Sequence, residues 1–487
     1  MDLAIRLDSD APVPLHRQLY EELRRAILTG RLSKGKRIPS TRALAKSLGI
    51  SRTTVTVAYE QLLSEGYLQT TVGSGTFVCS QLPDELLHSA PIDAINKESY
   101  PPVKLSNYGA ILANTEIPYY QEADLPISFR YGQPAIDQFP LKLWRKLLSR
   151  HCCSNLDWLN YGTDARGYKP LREAIAGYLS RSRAVQCEPD QIIITSGSQQ
   201  ALDLITRLLI APGDGIALEE PGYPGARYIF LTQGAKLYPV AVDESGLVIE
   251  KLANYDKKSI KLIYITPSHQ FPTGAVLSLP RRLELLVWAQ KMGIMIIEDD
   301  YDSEYRYGER PIPALQGLDH SNLVLYIGTF SKMLFPSLRI GYLVVPQHLV
   351  SLLTRAKWLT DRHSPLLEQK VLVDFLNEGH LESYIRRMRT HYNRLREVLV
   401  EALRTYLAQK VTILGEKAGI HLMVRLNTQL SDEEIIHRAA QVGVSMVTAQ
   451  PYYLESKPKG EFLFGYAQLT STQIQEGIRK IAQVIAE

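Results

Sequence analysis

Apolar residues recur every fourth position at Leu15, Leu19, Leu23 and Ile27. This spacing predicts one buried helix face, and Gly30 can terminate it. Ser40 is a good N-cap for a second helix that turns Ala43, Leu44 and Leu48 inward and ends at Gly49. After a short turn through Ile50, Ser51 caps a third helix with Val55, Tyr59, Leu62 and Leu63 as its buried stripe and Gly66 as its stop. Two alternating runs, 67–72 and 76–78, then flank Gly73-Ser74-Gly75 and predict a β-hairpin. Short helices joined by a glycine-containing turn are the helix-turn-helix signature, and the hairpin makes a wing.

From Ser80 to Leu125 the periodicity fades. Pro83, Pro91, Pro101, Pro102, Pro118 and Pro126 interrupt it, which predicts an extended interdomain linker over 81–125. Beyond it, over 126–487, helical patterns such as Leu279 to Met292 alternate with short β-branched runs at 260–265, 294–297, 323–327 and 340–345. That alternation predicts an α/β domain on a mainly parallel sheet, with ligands outside the carboxyl ends of its strands.

Charge sharpens the first of these domains. Residues 1–80 hold 11 Lys/Arg against 7 Asp/Glu, an excess equal to the whole chain's net charge of +4. Residues 23–59 carry nine basic side chains and no acidic one. Such a run is either a solvated face or a surface for nucleic acid, and the helix-turn-helix pattern favours the second. No apolar run approaches 18 residues and no signal-peptide core is present, so a cytosolic protein is expected. Cys79, Cys152, Cys153 and Cys187 lack the spacing of a zinc site or a disulfide framework, and they are expected to be reduced and structural.

Candidate chemistry centres on Lys332, in the run Thr329-Phe-Ser-Lys332-Met-Leu-Phe-Pro-Ser-Leu-Arg339, just beyond a predicted strand. A lysine delivered there suits Schiff-base chemistry with an aldehyde cofactor, and Thr329 and Arg339 are available to hold a phosphate. Asp299 follows the strand 294–297, where its carboxylate can pair with a protonated pyridine nitrogen or serve as a loop acid. Tyr301 lies two residues on. The run Ser196-Gly-Ser198-Gln199 opens a helix through Leu209, either as an anion seat or as an ordinary strand-to-helix turn. Tyr223 can stack on a flat ring or simply fill a turn.

Over 1–80 the motifs Ile38-Pro-Ser-Thr-Arg42-Ala-Leu-Ala45, Ser51-Arg-Thr-Thr-Val55, Gly66-Tyr67 and Gly73-Ser-Gly75-Thr-Phe77 resemble the winged helix-turn-helix of GntR-family transcription regulators. The resemblance implies that Arg42, Ser51, Arg52, Thr53 and Gly75 approach double-stranded DNA, with Arg52 the best base reader. Thr54 and Thr56 are expected to be exposed beside it. Lys34, Lys36, Arg37 and Lys46 contact phosphate or solvate the surface.

Residues 126–487 resemble fold-type I, pyridoxal-phosphate-dependent aminotransferases, and the two halves together resemble the MocR-type branch of the GntR regulators. The resemblance implies pyridoxal 5′-phosphate as cofactor and Lys332 as its Schiff-base lysine. It implies Asp299 on the pyridine nitrogen, Tyr301 on the phenolic oxygen and Tyr223 on the ring face. Ser198, Gln199, Thr329 and Arg339 would surround the phosphate, joined by Tyr161 from a neighbouring subunit of a head-to-tail homodimer.

Two positions depart from the enzymes. In His269-Gln-Phe271-Pro-Thr-Gly274, a pattern shared with the MocR-type regulators, Phe271 stands where aminotransferases carry an asparagine. Leu463, in Glu461-Phe-Leu463-Phe-Gly-Tyr-Ala467, stands where an arginine usually grips the substrate carboxylate. Arg227 and Arg425 are the candidates for a substitute clamp. The expected function is a DNA-binding regulator that senses pyridoxal phosphate or a small amine at Lys332. The alternatives are a working aminotransferase with an accessory DNA-binding domain, and a DNA-binding protein with a dead enzyme domain. Retention of Lys332, Asp299 and Arg339 together opposes the last.

Overall fold

The computed structural model describes residues 5, 7–71, 73–84, 103–115, 125–154, 157–162, 164–255, 259–308, 312–455 and 457–486. The chain divides into two compact units, 1–104 and 105–487. Most of the expected linker, and Val72 of the expected hairpin, lie outside the described residues. Within 103–115 a short helix, Asn107–Ala113, is capped by Ser106.

In the first unit, α1 (Leu15–Leu28), α2 (Thr41–Leu48) and α3 (Arg52–Ser64) precede the antiparallel strands β1 (Leu68–Thr71) and β2 (Gly75–Val78). The Ser40 hydroxyl accepts the Ala43 amide at 3.2 Å, and that of Ser51 accepts the Thr54 amide at 3.0 Å. Each cap satisfies a donor the helix start would otherwise leave unpaired. Gly49 closes α2 in the left-handed region at φ 67°, which glycine enters without strain. Leu19, Leu23 and Ile27 of α1 meet Val55, Tyr59 and Leu62 of α3 in one core. Ala43, expected inside, is exposed, and Ala45 is buried in its place beside Leu44. With Leu44 facing the core, Ala43 lies a residue round the helix, on the solvent side.

The second unit is built on an eight-stranded sheet. Its strands are β3 (Ile192–Thr195), β4 (Gly215–Glu220), β5 (Lys236–Asp243), β6 (Gly246–Leu247), β7 (Ile260–Ile265), β8 (Met295–Asp300), β9 (Val324–Thr329) and β10 (Gly341–Val344). Their order is β3-β10-β9-β8-β7-β4-β5-β6. The central pairings are parallel, while β10 runs antiparallel to both neighbours and β6 to β5. The near-continuous apolar strands are explained by helices on both faces. On one side α4 (Ser198–Leu209) packs Leu202 and Ile205 on Ile193, Leu218, Leu262 and Ile327. On the other, α5 (Leu279–Met292) packs Leu285 and Ala289 on Ala217, Ile263 and Ile296.

After the long helix α6 (His380–Leu407), strands β11 (Val411–Leu414), β12 (His421–Leu426), β13 (Val447–Thr448) and β14 (Glu461–Gly465) form an antiparallel sheet in the order β11-β12-β14-β13. All four cysteines are free thiols. Cys152 and Cys153 are exposed, so the expectation that they are structural fails: both fall on the solvent side of their amphipathic helix, Leu141–Ser154. Among the described residues no helix is long and apolar enough to cross a membrane.

Candidate functional sites

In the first unit, Arg42, Ser51, Arg52 and Thr53 are all exposed. They sit on α2, α3 and the turn between them. Thr54 and Thr56, expected to be exposed beside them, are half-buried. Their hydroxyls turn to the helix itself: Thr54 bonds the Ser51 hydroxyl at 2.8 Å, and Thr56 donates to the Arg52 carbonyl at 3.0 Å. The wing gains a third chain segment, because the Ile38 amide donates to the Thr76 carbonyl and the Val78 amide to the Lys36 carbonyl. Arg37 lies against the hairpin tip, where a Cβ on Gly75 (φ +115°) would fall 2.8 Å from Arg37 Nε. Gly75 therefore makes room for a cation, and Arg37 braces the wing.

In the second unit, the carboxyl ends of the parallel strands converge on a cavity of about 340 Å³. Strand β8 delivers Asp299 and Tyr301, and β9 delivers Thr329, Ser331 and Lys332. The turn after β3 supplies Ser198 and Gln199, the loop after β4 supplies Tyr223, and Arg339 enters just before β10. Eight of the nine residues expected around a cofactor thus line one pocket. The ninth, Tyr161, is 78 % exposed and lies outside it, beside His363 and Arg362.

Lys332 donates through Nζ to the Gly132 carbonyl. A Cβ on Gly132 (φ +88°) would sit 3.0 Å from Nζ, so the lysine is seated against bare backbone. Burial lowers its pKa, while the charges of Asp302 and Asp299 oppose that shift. Asp299 accepts a hydrogen bond from Tyr264 Oη at 2.8 Å through Oδ2. Its Oδ1 is buried with no hydrogen-bond partner, and burial pushes the carboxyl up to about 7. A buried bare carboxylate oxygen is costly unless a donor arrives to meet it.

At the other end, Gly197 (φ +85°) precedes α4, and Arg339 Nη2 donates to the Ser196 carbonyl at 2.8 Å. The unpaired amides of the α4 start, the Arg339 guanidinium and the Thr329 and Ser331 hydroxyls make a seat for a dianion. The Ser331 hydroxyl is itself buried without a partner. Gln199 Nε2 donates to Tyr223 Oη at 2.8 Å and holds that ring at the cavity wall. An anion seat, a primary amine and a buried unpaired carboxylate oxygen are the three anchors a phosphorylated pyridine aldehyde needs. The residues fit that cofactor.

Phe271 is buried with its ring 5.8 Å from Tyr223 and 5.9 Å from Tyr301, and a phenyl ring supplies no amide donor there. Leu463 is fully buried behind it, packed with Tyr452 and Met423. Neither expected substitute clamp lines the cavity. Arg227 donates to the Tyr453 and Pro451 carbonyls, and Arg425 pairs with Glu461 at 2.7 Å. The cavity's arginines are Arg339 and Arg130.

Sequence reasoning missed Arg130, Gly132, Tyr264, Ser331, Asp302 and His421, which also line the pocket. Ser331 was within reach, one residue before Lys332. The donor atoms of His269, Asp302 and His421 lie within 4.8 Å of one another. Within that group the pairing is a hydrogen bond, His269 Nδ1 to Asp302 at 3.0 Å.

Residues 128–481 match the aminotransferase class I and II family, and residues 15–78 match the gntR family of bacterial regulatory proteins. The probable rhizopine catabolism regulatory protein MocR of Rhizobium meliloti is 41% identical over 98% of this chain and 94% of its own length. The HTH-type pyridoxine biosynthesis transcriptional regulator PdxR of Corynebacterium glutamicum is 28% identical over 100% of this chain and 99% of its own. Pyrococcus horikoshii kynurenine aminotransferase, solved in complex with PMP, superposes with a TM-score of 0.70 and 28% identity, covering 82% of this chain and 98% of that one. Pyridoxal 5′-phosphate, expected from the sequence, is the cofactor of this fold family, and the gntR module makes the chain a DNA-binding protein. The chain belongs to the MocR-type branch of the gntR-family transcription regulators, in which a winged helix-turn-helix is joined to a fold-type I aminotransferase domain.

Proposed function

We propose that this regulator reads the supply of pyridoxal phosphate, or of a small amine that reacts with it, through a Schiff base at Lys332. The observation that carries the reading is the bare Asp299 Oδ1 in a pocket that also holds Lys332 and an anion seat. When bound, the cofactor supplies an electrophilic aldehyde that captures amines. The chain's own residues do the rest. Burial lowers the Lys332 pKa and so favours the neutral, nucleophilic amine, against the opposing charges of Asp302 and Asp299. Asp299 would accept from the pyridine nitrogen, and Tyr301 would face the phenolic oxygen. Tyr223 would cover the ring, and Ser198, Gln199, Thr329 and Arg339 would hold the phosphate. Tyr161 would reach the phosphate of a second subunit in a head-to-tail homodimer, a role consistent with its exposure.

DNA contact falls to Arg42, Ser51, Arg52, Thr53 and Gly75, with the chain working in the cytoplasm. Occupation of the pocket alters DNA binding to the extent that the ligand favours one arrangement of the two units over another. The test uses the full chain and its Lys332→Ala variant. Wild type with pyridoxal phosphate should show a visible absorbance band that borohydride abolishes, and an altered affinity for its operator. Lys332→Ala should show neither. A band that persists in the variant rejects the assignment, and steady transamination by wild type would favour a working aminotransferase.

A further inference from the structure

Beside the pocket, His269 and Asp302 form a pair whose side chains are each 1% exposed. His269 Nδ1 lies 3.0 Å from both Asp302 oxygens and 2.9 Å from Tyr301 Oη. His269 Nε2 is buried with no partner. These contacts select the tautomer. A proton on Nδ1 meets the Asp302 carboxylate, whereas a proton on Nε2 would be stranded as an unmatched buried donor. With Nδ1 as the donor, Tyr301 Oη is an acceptor on that side. Its own proton is then free to point into the pocket.

The enclosure is built for this arrangement. Gly419 (φ +78°) passes so close that a Cβ there would fall 2.0 Å from His269 Cε1 and 2.8 Å from Asp302 Oδ2. Tyr301 is a polar group at this wall that can serve the cofactor's phenolic oxygen, whereas Phe271, in the asparagine's place, offers only a ring.

We propose that Asp302 and His269 are positioning residues that orient the Tyr301 hydroxyl as a donor to the cofactor's phenolic oxygen, in place of the asparagine this chain lacks. The inference rests on the pyridoxal-phosphate reading above.

The surrounding charges are consistent with it. Asp299, Glu219 and Tyr131 act on Tyr301, Asp300 and Lys332 on Asp302, and His269 on His421. Burial, with His269 adjacent, pushes His421 down to about 3, so it stays neutral. Burial and the neighbouring carboxylates hold the Tyr301 phenol well above its ordinary value, so it keeps its proton. Withdrawing that donor from the phenolic oxygen makes the oxygen a better acceptor for the proton it shares with the Lys332 nitrogen. The titration of the bound cofactor should then move up.

The experiment is a pH titration of the visible absorbance of the full-length, cofactor-loaded protein. The Asn amide nitrogen overlays Nδ1 and the Gln nitrogen overlays Nε2, so His269→Asn keeps the donor and His269→Gln loses it. Asp299 and Glu219 are unchanged between these two variants, so their difference reads Tyr301 alone. His269→Gln and His269→Phe should raise the midpoint by about one pH unit, the value of one charge-assisted hydrogen bond. Tyr301→Phe should shift it the same way, His269→Asn should titrate like wild type, and His269→Gln added to Tyr301→Phe should shift nothing further. The proposal is overturned if Gln and Phe titrate like wild type, if Asn shifts as far as Gln, or if the double variant is additive. Should His269→Phe not fold, the Asn and Gln pair decides alone. Absence of any band in wild type would reject the cofactor reading itself.

Discussion

Tyr264 Oη donates to Asp299 Oδ2 at 2.8 Å and leaves the carboxylate's other oxygen bare toward the pocket. One oxygen is fixed by the tyrosine and the other is buried without a partner. The arrangement has a stability consequence, because burial raises the carboxyl from 3.8 to about 7 in the ligand-free fold. A folded-state pKa above the unfolded value gives stability that is fully present below about pH 4 and lost as pH rises through about 7. Asp299→Asn keeps the acceptor for Tyr264 and removes the charge. Cofactor-free Asn variant should therefore melt above wild type at pH 8, by an amount on the order of 1–4 kcal/mol, and match it near pH 4. Pyridoxal-phosphate affinity should fall in the same variant. A melting difference independent of pH would show that Asp299 is not the group being strained.

Gly197 lies against Arg339, at the end of the pocket proposed to hold the phosphate. A Cβ there would fall 3.1 Å from Arg339 Nη2, in a backbone conformation (φ +85°) that side chains avoid. Gly197→Ala should cost about 1–3 kcal/mol of stability and push the guanidinium off its seat. Binding of pyridoxal phosphate should weaken much more than binding of pyridoxal, which has no phosphate to hold. Equal losses for the two ligands would mean that the anion seat lies elsewhere.

The N-terminal unit makes a separate prediction. Arg52 is exposed at the first position of α3 with its helix start fixed by the Ser51 cap. If it reads a base, Arg52→Ala should cost about 1–3 kcal/mol at the operator and little on unrelated DNA. Lys36→Ala should weaken all sequences alike and flatten the salt dependence. Gel-shift titrations on operator and random duplexes at two salt concentrations separate the outcomes, and an Arg52→Ala protein that binds its operator like wild type removes the base-reading role.

What the sequence made legible was local. The Ser40 and Ser51 caps, the strand of 260–265 and the Leu279–Met292 helix are each specified within one segment, by a hydroxyl, a β-branched run or a 3.6-residue period. Lys332, Asp299 and Arg339 were legible because parallel strands place their carboxyl ends together. The Lys332 contact with Gly132 spans 200 residues, and His269 meets Asp302 across 33. No periodicity carries such pairings, which arise from packing of loops over the sheet ends. The exposure of Ala43 is a smaller instance: within the apolar run Ala43-Leu44-Ala45 the sequence does not say which residues turn inward, and packing against the core takes Leu44 and Ala45.

The last prediction concerns chemistry. Leu463 is fully buried behind Phe271, and Arg227 and Arg425 are committed to backbone carbonyls and to Glu461. None of these three residues grips a carboxylate in the cavity. Positioning in well-aligned reactions contributes about 7–11 kcal/mol. Part of it survives here, because capture at the amine still anchors one end of the substrate. Standard amino acids should consequently transaminate far below the ~10 s⁻¹ typical of enzymes, and pyridoxal phosphate or an amine without an α-carboxylate should be the better effector. Arg130, the other arginine that lines the cavity, provides the internal check. If it serves as a clamp, Arg130→Ala should abolish residual amino-acid turnover while leaving the response to pyridoxal phosphate intact. Steady turnover of an amino acid with a keto acid near the enzyme rate would overturn the prediction and make the aminotransferase reading the better one.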